Sequence, residues 1–129
     1  MTAPIFQVCS QDAGVTALLG MGANLRLYSF GEAPEGVAKP YAVWQLVNGE
    51  PENYLAGRPD TDGFTLQVDV YGATSTSARR VRDAIRYAIE LRAYITRWGG
   101  EGRDPTTKNY RTSFDVDWVV CREIGDMKN

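Results

Sequence analysis

From Phe64 to Tyr71 apolar and polar residues alternate without a break. Phe64, Leu66, Val68 and Val70 take one side of an extended chain, and Thr65, Gln67, Asp69 and Tyr71 the other. A longer alternation runs from Tyr110 to Cys121, with Phe114, Val116, Trp118 and Val120 set against Ser113, Asp115, Asp117 and Val119. Between the two, the period changes to that of a helix. Ser75 or Thr76 can cap it, and Val81, Ile85, Ala88 and Ile89 form a stripe that ends near Arg92. Two half-buried strands flanking one amphipathic helix dictate a sheet with one face under helix and the other face polar.

The rest of the chain fits around that unit. Pro4 to Leu19 reads as a short amphipathic helix, closed by Gly20 and Gly22. Leu25–Phe30, Tyr41–Val47 and Tyr94–Trp98 are shorter strands, the last stopped by Gly99-Gly100. Gly31–Pro40 is a loop. Residues 48–63 are an extended hairpin arm or a plain loop, residues 99–109 a polar turn or loop, and residues 122–129 a frayed tail. The expectation is an α+β fold: a two-layer sandwich with a mostly antiparallel sheet of about five strands, one long helix and a short N-terminal helix. At 129 residues it makes a single domain, 1–129.

Composition narrows the function. With 43% hydrophobic and 11% aromatic residues the chain can build a core. A formal net charge of -2 argues against a strongly basic nucleic-acid binder. The absence of histidine removes His-based triads and His-ligated zinc. Cys9 and Cys121 form no CxxC pair and read as small buried or half-buried thiols in a reducing compartment. No leader or membrane-length apolar run is visible, so a cytoplasm-like setting without membrane or cofactor is expected. No serine sits in a GxSxG turn.

Charge is uneven. Residues 1–78 carry net -5 and residues 79–97 carry net +4. The basic stretch is an arginine-rich helix with Arg79, Arg80, Arg82, Arg86 and Arg92. Arg79 with Asp83 and Arg86 with Glu90 are spaced as i,i+4 pairs, which favours a solvated face over a protein or nucleic-acid contact. Asp69, Asp115 and Asp117 fall on the polar sides of their strands and share one sheet face if those strands are neighbours. Such carboxylates can hold Mg²⁺ for phosphoryl transfer, but the chain has no phosphate-cradling Gly-rich loop and no Walker lysine. The two polar segments carry Tyr54, Arg58, Arg103 and Tyr110 and are candidate recognition loops.

Three stretches carry a family resemblance: LRLYSFGEAPEGVAKPYAVWQLVNGEPENYLAGRPD at 25–60, LQVDVYGATSTSARRVRDAIRYAIE at 66–90 and ITRWGGEGRDPTTKNYRTSFDVDW at 95–118. A proline-led second strand, a VDVYG strand end, a Ser/Ala/Arg helix and a final Y-R-x-S-x-D strand follow one another in order. In this overall pattern the chain resembles the tail-completion or tail-terminator proteins of long-tailed bacteriophages and prophages. The resemblance implies a non-enzymatic virion protein, assembled in the bacterial cytoplasm and placed at the head–tail junction. It implies a homo-hexameric ring that caps the tail tube and stops polymerisation of the major tail protein. The ring would then meet the head-side connector or neck protein and pass DNA through its lumen. A head-completion or neck ring is the near alternative; a small metal-dependent phosphotransfer enzyme using the three aspartates is the distant one.

Size fits a ring. A compact chain of this length is a sphere about 36 Å across, and six touching spheres leave a hole of that width, enough for a duplex. An acidic face would repel phosphates, so Asp69, Asp115 and Asp117 are the expected lumen-facing residues. Closure needs head-to-tail contacts. The expected interface joins Arg79, Arg82 and Arg86 of one subunit to Glu50, Glu52, Asp60 and Asp62 of the next, with Tyr54, Arg58 and Arg103 in the same subunit or tube contacts.

Overall fold

The computed structural model describes residues 3–51 and 61–121. Two short helices come first, α1 (Ile5–Ser10) and α2 (Ala13–Leu19). The single N-terminal helix read from the sequence is therefore broken at Gln11-Asp12. Asp12 is extended, and its carboxylate accepts the Val15 N–H at 3.0 Å, which starts a new helix instead of continuing the old one. A short strand β1 (Leu27–Ser29) follows, then β2 (Tyr41–Pro51), β3 (Thr61–Gly72), helix α3 (Ser75–Ile89), β4 (Ala93–Arg103) and β5 (Tyr110–Cys121).

The five strands form one sheet in the order β1-β2-β3-β5-β4. Only β1 against β2 is parallel; the other pairs are antiparallel. β3 and β5 pair in unbroken register from Thr61↔Cys121 to Gly72↔Tyr110. Their even-numbered side chains point one way, and Leu66, Val68, Val70, Phe114, Val116 and Trp118 are buried there. Ala78, Val81, Ile85 and Ile89 of α3 face them, with Ile5, Cys9, Val15 and Leu19 from α1 and α2 completing the core. All the helices lie on that side. The opposite face of the sheet has no second layer among the described residues.

Several boundaries differ from the sequence reading. Thr74, not Ser75 or Thr76, caps α3, accepting the Ser77 N–H at 3.1 Å. Gly72 closes β3 because a Cβ there would lie 2.8 Å from the Ala78 nitrogen; the strand end and the first turn of α3 touch through bare backbone. β2 and β3 continue pairing to Pro51↔Asp62, so both ends of the 48–63 segment are strand, and residues 52–60 lie outside the described residues. The 122–129 tail lies outside the described residues.

The largest correction concerns β4. Gly99-Gly100 does not stop it; the strand runs on to Arg103 and the turn shrinks to residues 104–109. Trp98 pairs with Phe114 and Glu101 with Thr112, so Gly99 and Gly100 together oppose Ser113 in a bulge. A Cβ on Gly99 would collide with the Ser113 Oγ and crowd the Ser113 carbonyl oxygen at 3.0 Å, so glycine suits the strand where it curls over that residue. A second irregularity between Ile95 and Arg97 leaves Thr96 as another extra residue. Each extra residue reverses which side the following side chains take.

Candidate functional site

The register puts Asp69, Asp115 and Asp117 on one face, the uncovered one, as their strand positions suggested. The face is not a plain acidic surface. The bulge at Thr96 turns Arg97 onto it, where the guanidinium Nε donates to Asp115 Oδ2 at 3.0 Å. Arg111 Nη1 stands 3.5 Å from Asp69 Oδ1, and Gln67 Nε2 donates to the same oxygen at 3.2 Å. Thr65 Oγ1 donates to Asp117 Oδ1 at 2.7 Å. Asp69 and Asp115 keep only 14% and 20% of their side-chain exposure. The result is a ladder of three carboxylates and two guanidiniums in which each arginine is held by its own chain. Among the described residues no three His, Cys, Asp or Glu side chains converge on a metal position.

The arginines of α3 are used differently from the sequence expectation. The bulge at Gly99-Gly100 places Glu101 on the helix side, and Arg79 grips it through Nε at 2.9 Å and Nη2 at 2.8 Å. Arg82 Nη1 reaches the same carboxylate at 3.4 Å, donates through Nε to Asp83 at 3.0 Å, and lays its guanidinium 5.3 Å over the Trp98 ring. Trp98 in turn tilts against Phe114, with ring centroids 5.8 Å apart. Of the two expected helix pairs only Arg86–Glu90 forms, at 2.6 Å. Asp83 takes Arg82 instead of Arg79, because Glu101 offers Arg79 a bidentate partner across the layer. Hydrogen bonds from Arg79 hold the Glu101 carboxyl below its ordinary range. These contacts dock α3 to the edge strand β4.

At the far end of the open face, Tyr41 and Tyr71 stack with centroids 4.9 Å apart. They line a cleft of about 610 Å³ together with Arg103, Asp104, Asn109 and Arg111. Arg103 lies 5.3 Å over the Tyr110 ring. Asp104 turns inward to its own loop, accepting the Thr106 and Thr107 N–H groups at 2.8 and 3.2 Å, and those bonds lower its pKa. Burial pushes the Tyr41 and Tyr71 phenols up; nearby Asp69 adds to this at Tyr71. Asn109 Oδ1 is buried without a partner among the described residues.

The opposite end holds an exposed apolar group that periodicity did not single out: Tyr87, Leu91 and Tyr94, from the end of α3 to the start of β4. Leu91, 95% exposed, belongs to the turn between them. The only sequence signal for it was Leu91 falling off the Val81/Ile85/Ile89 stripe. Of the expected interface residues, Glu52, Tyr54, Arg58 and Asp60 lie outside the described residues, while Glu50 and Asp62 have described backbone in the β2–β3 pairing. Cys9 is buried in the core and its thiol is pushed up to about 12, chiefly by burial, as expected of an inert packing thiol.

Comparisons with known proteins agree with this architecture. No curated protein matches the sequence. Among solved structures, a chain of the "Virion of native gene transfer agent (GTA) particle" superposes with a TM-score of 0.64 at 15% identity, covering 91% of each chain. At that identity the likeness is one of fold. A family model described as "Tail completion protein gp17" matches residues 3–121, which span β1 to β5 and every helix. With its α+β fold and the order of its strands and helices, the chain belongs to the tail completion protein gp17 family.

Proposed function

We propose that this protein completes a phage tail by closing a homo-hexameric ring on the end of the tail tube. The ring halts addition of the major tail protein, offers its other side to the head-side connector and lets DNA pass through its lumen. The role is structural, exercised in the virion at the head–tail junction after assembly in the host cytoplasm. The observation that carries the reading is the family match over residues 3–121, because the whole folded domain, not an appended segment, is what the family shares. The resemblance in fold to a chain of a gene transfer agent virion supports a place in the particle.

Three features support the ring. One end of the sheet carries the exposed Tyr87, Leu91 and Tyr94 and the other the Tyr41/Tyr71 cleft, and unlike ends suit head-to-tail contacts. Tyr87, Leu91 and Tyr94 offer the apolar anchors that a subunit or tube contact needs. The uncovered face suits the lumen in a modified sense. Asp69 and Asp115 occupy Arg111 and Arg97, so among the described residues both guanidiniums of this ladder are already claimed when DNA meets it. Asp117 adds the excess negative charge, and phosphates slide past. In the expected interface, Arg79 and Arg82 act first within their own subunit by fixing β4, while Arg86 is paired with Glu90.

Deleting the reading frame from its phage or prophage and imaging the lysate by negative-stain microscopy tests the reading. Overlong, headless tubes beside full heads are expected. Normal-length tails beside DNA-filled heads would move the role to the neck, and intact infectious particles would overturn it.

A further inference from the structure

Among the described side chains, every carboxylate except Glu32 and Glu35 accepts a hydrogen bond or pairs with an arginine inside the subunit. Those two are exposed and lie in tandem turns between β1 and β2. The Glu32 N–H donates to the Ser29 carbonyl at 3.0 Å around Gly31, whose φ is 77°, and the Val37 N–H donates to the Pro34 carbonyl at 3.3 Å around Gly36, whose φ is 71°. Glycine at the third position of each turn allows the positive φ, and the residue before it is held at the corner. Those corner residues are Phe30, 69% exposed, and Glu35. Lys39, past the second turn, reaches neither glutamate within salt-bridge distance.

The matching feature is on α3. Arg80 and Tyr87 are two helical turns apart and lie opposite the buried stripe of Val81, Ile85 and Ile89. Leu91 and Arg92 follow in the turn to β4, both exposed. Neither Arg80 nor Arg92 has a carboxylate within salt-bridge distance among the described residues, whereas Arg79, Arg82 and Arg86 are matched within the subunit. α3 packs over β3 and β5 and is clasped to the β4 edge, while the 30–36 turns leave β1, the other edge of the sheet. In one chain the two features therefore stand on opposite sides.

We infer that the outer face of α3 around Tyr87 and Leu91, bracketed by Arg80 and Arg92, seats the 30–36 turns of a second copy of this chain. The inference rests on the ring reading above and names its contact. Phe30 covers Tyr87 and Leu91 as the apolar anchor, and Glu32 and Glu35 meet the two guanidiniums, which offer paired N–H donors to carboxylates. The occupant is a second copy because each subunit carries both halves: free carboxylates beside Phe30 on one side, free guanidiniums beside Tyr87 and Leu91 on the other. Complementary halves on opposite sides make a heterologous contact, the kind a ring closes.

Charge exchange gives a direct test. R80E/R92E protein presents acidic turns to an acidic seat, and E32R/E35R protein presents basic turns to a basic seat. Each alone should lose at least about tenfold in self-association, read by sedimentation at millimolar concentration against the parent. Mixed one to one, the variants meet with opposite charge at every contact. Association should then return toward the parent's level with the two variants alternating, a rescue that a folding defect cannot give. Phe30→Ala and Leu91→Ala should each weaken association, and together by less than the product of their separate effects, because they remove the two sides of one contact. A parent that does not self-associate, variants that associate as the parent does, or a mixture without rescue would each overturn the inference. R80E/R92E protein that self-associates normally yet gives overlong tails in the phage would overturn it too, by assigning the seat to the tail tube. The two readings fail separately. Open head-to-tail chains that obey the charge exchange would sink the ring and keep the contact, whereas closed rings indifferent to it would do the reverse.

Discussion

Replacing Gly99 by Ala tests whether the β4 bulge is what seats α3's partners. The new methyl would collide with Ser113 Oγ and stand 3.0 Å from the Ser113 carbonyl oxygen. Ser113 is only 5% exposed, so its side chain has little room to retreat. The strand must lift, which loosens Trp98 from Phe114 and carries Glu101 away from Arg79. Overpacking of this kind costs about 1–3 kcal/mol. For a chain of this length 1 kcal/mol moves Tm by about 4 °C, so a fall of roughly 4–12 °C is expected in calorimetry. Ser113→Ala removes the closest atom but leaves the carbonyl contact. The double variant should therefore recover part of the loss, with a coupling of about 0.5–2 kcal/mol in a denaturant-melt cycle. A Gly99→Ala protein melting within 1 °C of the parent, or strict additivity in the cycle, would refute the argument that Ser113 forbids a side chain there.

Other expectations follow from the charged face and the titrating groups. Asp69→Asn with Asp115→Asn frees Arg111 and Arg97, and should turn a non-adhesive surface into one that binds duplex DNA. The binding should be salt-dependent with a log–log slope of about -2, read by fluorescence anisotropy. The Cys9 thiol titrates near 12 when folded and near 9.0 when unfolded. Its stabilising effect is full below pH 9 and is lost as pH rises toward 12; at pH 10 the loss is about 1.4 kcal/mol, and Cys9→Ala should flatten that part of the stability profile. Glu101 moves the other way: its carboxyl is lowered from 4.5, so its contribution is present above that pH and fades as pH falls through the folded value. Glu101→Gln should remove that acid-side slope from urea melts between pH 3 and 5.

The parts of the fold legible in the sequence are those where burial follows a local period. The alternations of 64–71 and 110–121 named the two central strands and their sides, and β5 runs from Tyr110 to Cys121 as read. The α3 stripe of Val81, Ile85 and Ile89 is buried as read, and the three aspartates do share a face. Less legible was β4, where glycines that usually stop a strand serve as a bulge. The break at Asp12 was also missed, because a capping carboxylate inside a helical period looks like an ordinary polar position.

What the sequence determined by itself is the class: one polar-faced sheet, one helix layer and an overall pattern that a tail completion family shares. What only the tertiary structure decided is the pairing of charge. Whether Arg97 joins Asp115, and whether Arg79 prefers Glu101 to Asp83, depends on one extra residue at Thr96 and another at Gly99-Gly100. A bulge shifts side-chain direction for everything after it, and its position is fixed by β5 and α3 rather than by the residues of β4 alone. The near-neutral open face and the helix-to-edge clasp therefore arise from contacts between segments 18 and 22 residues apart, beyond the reach of any local period.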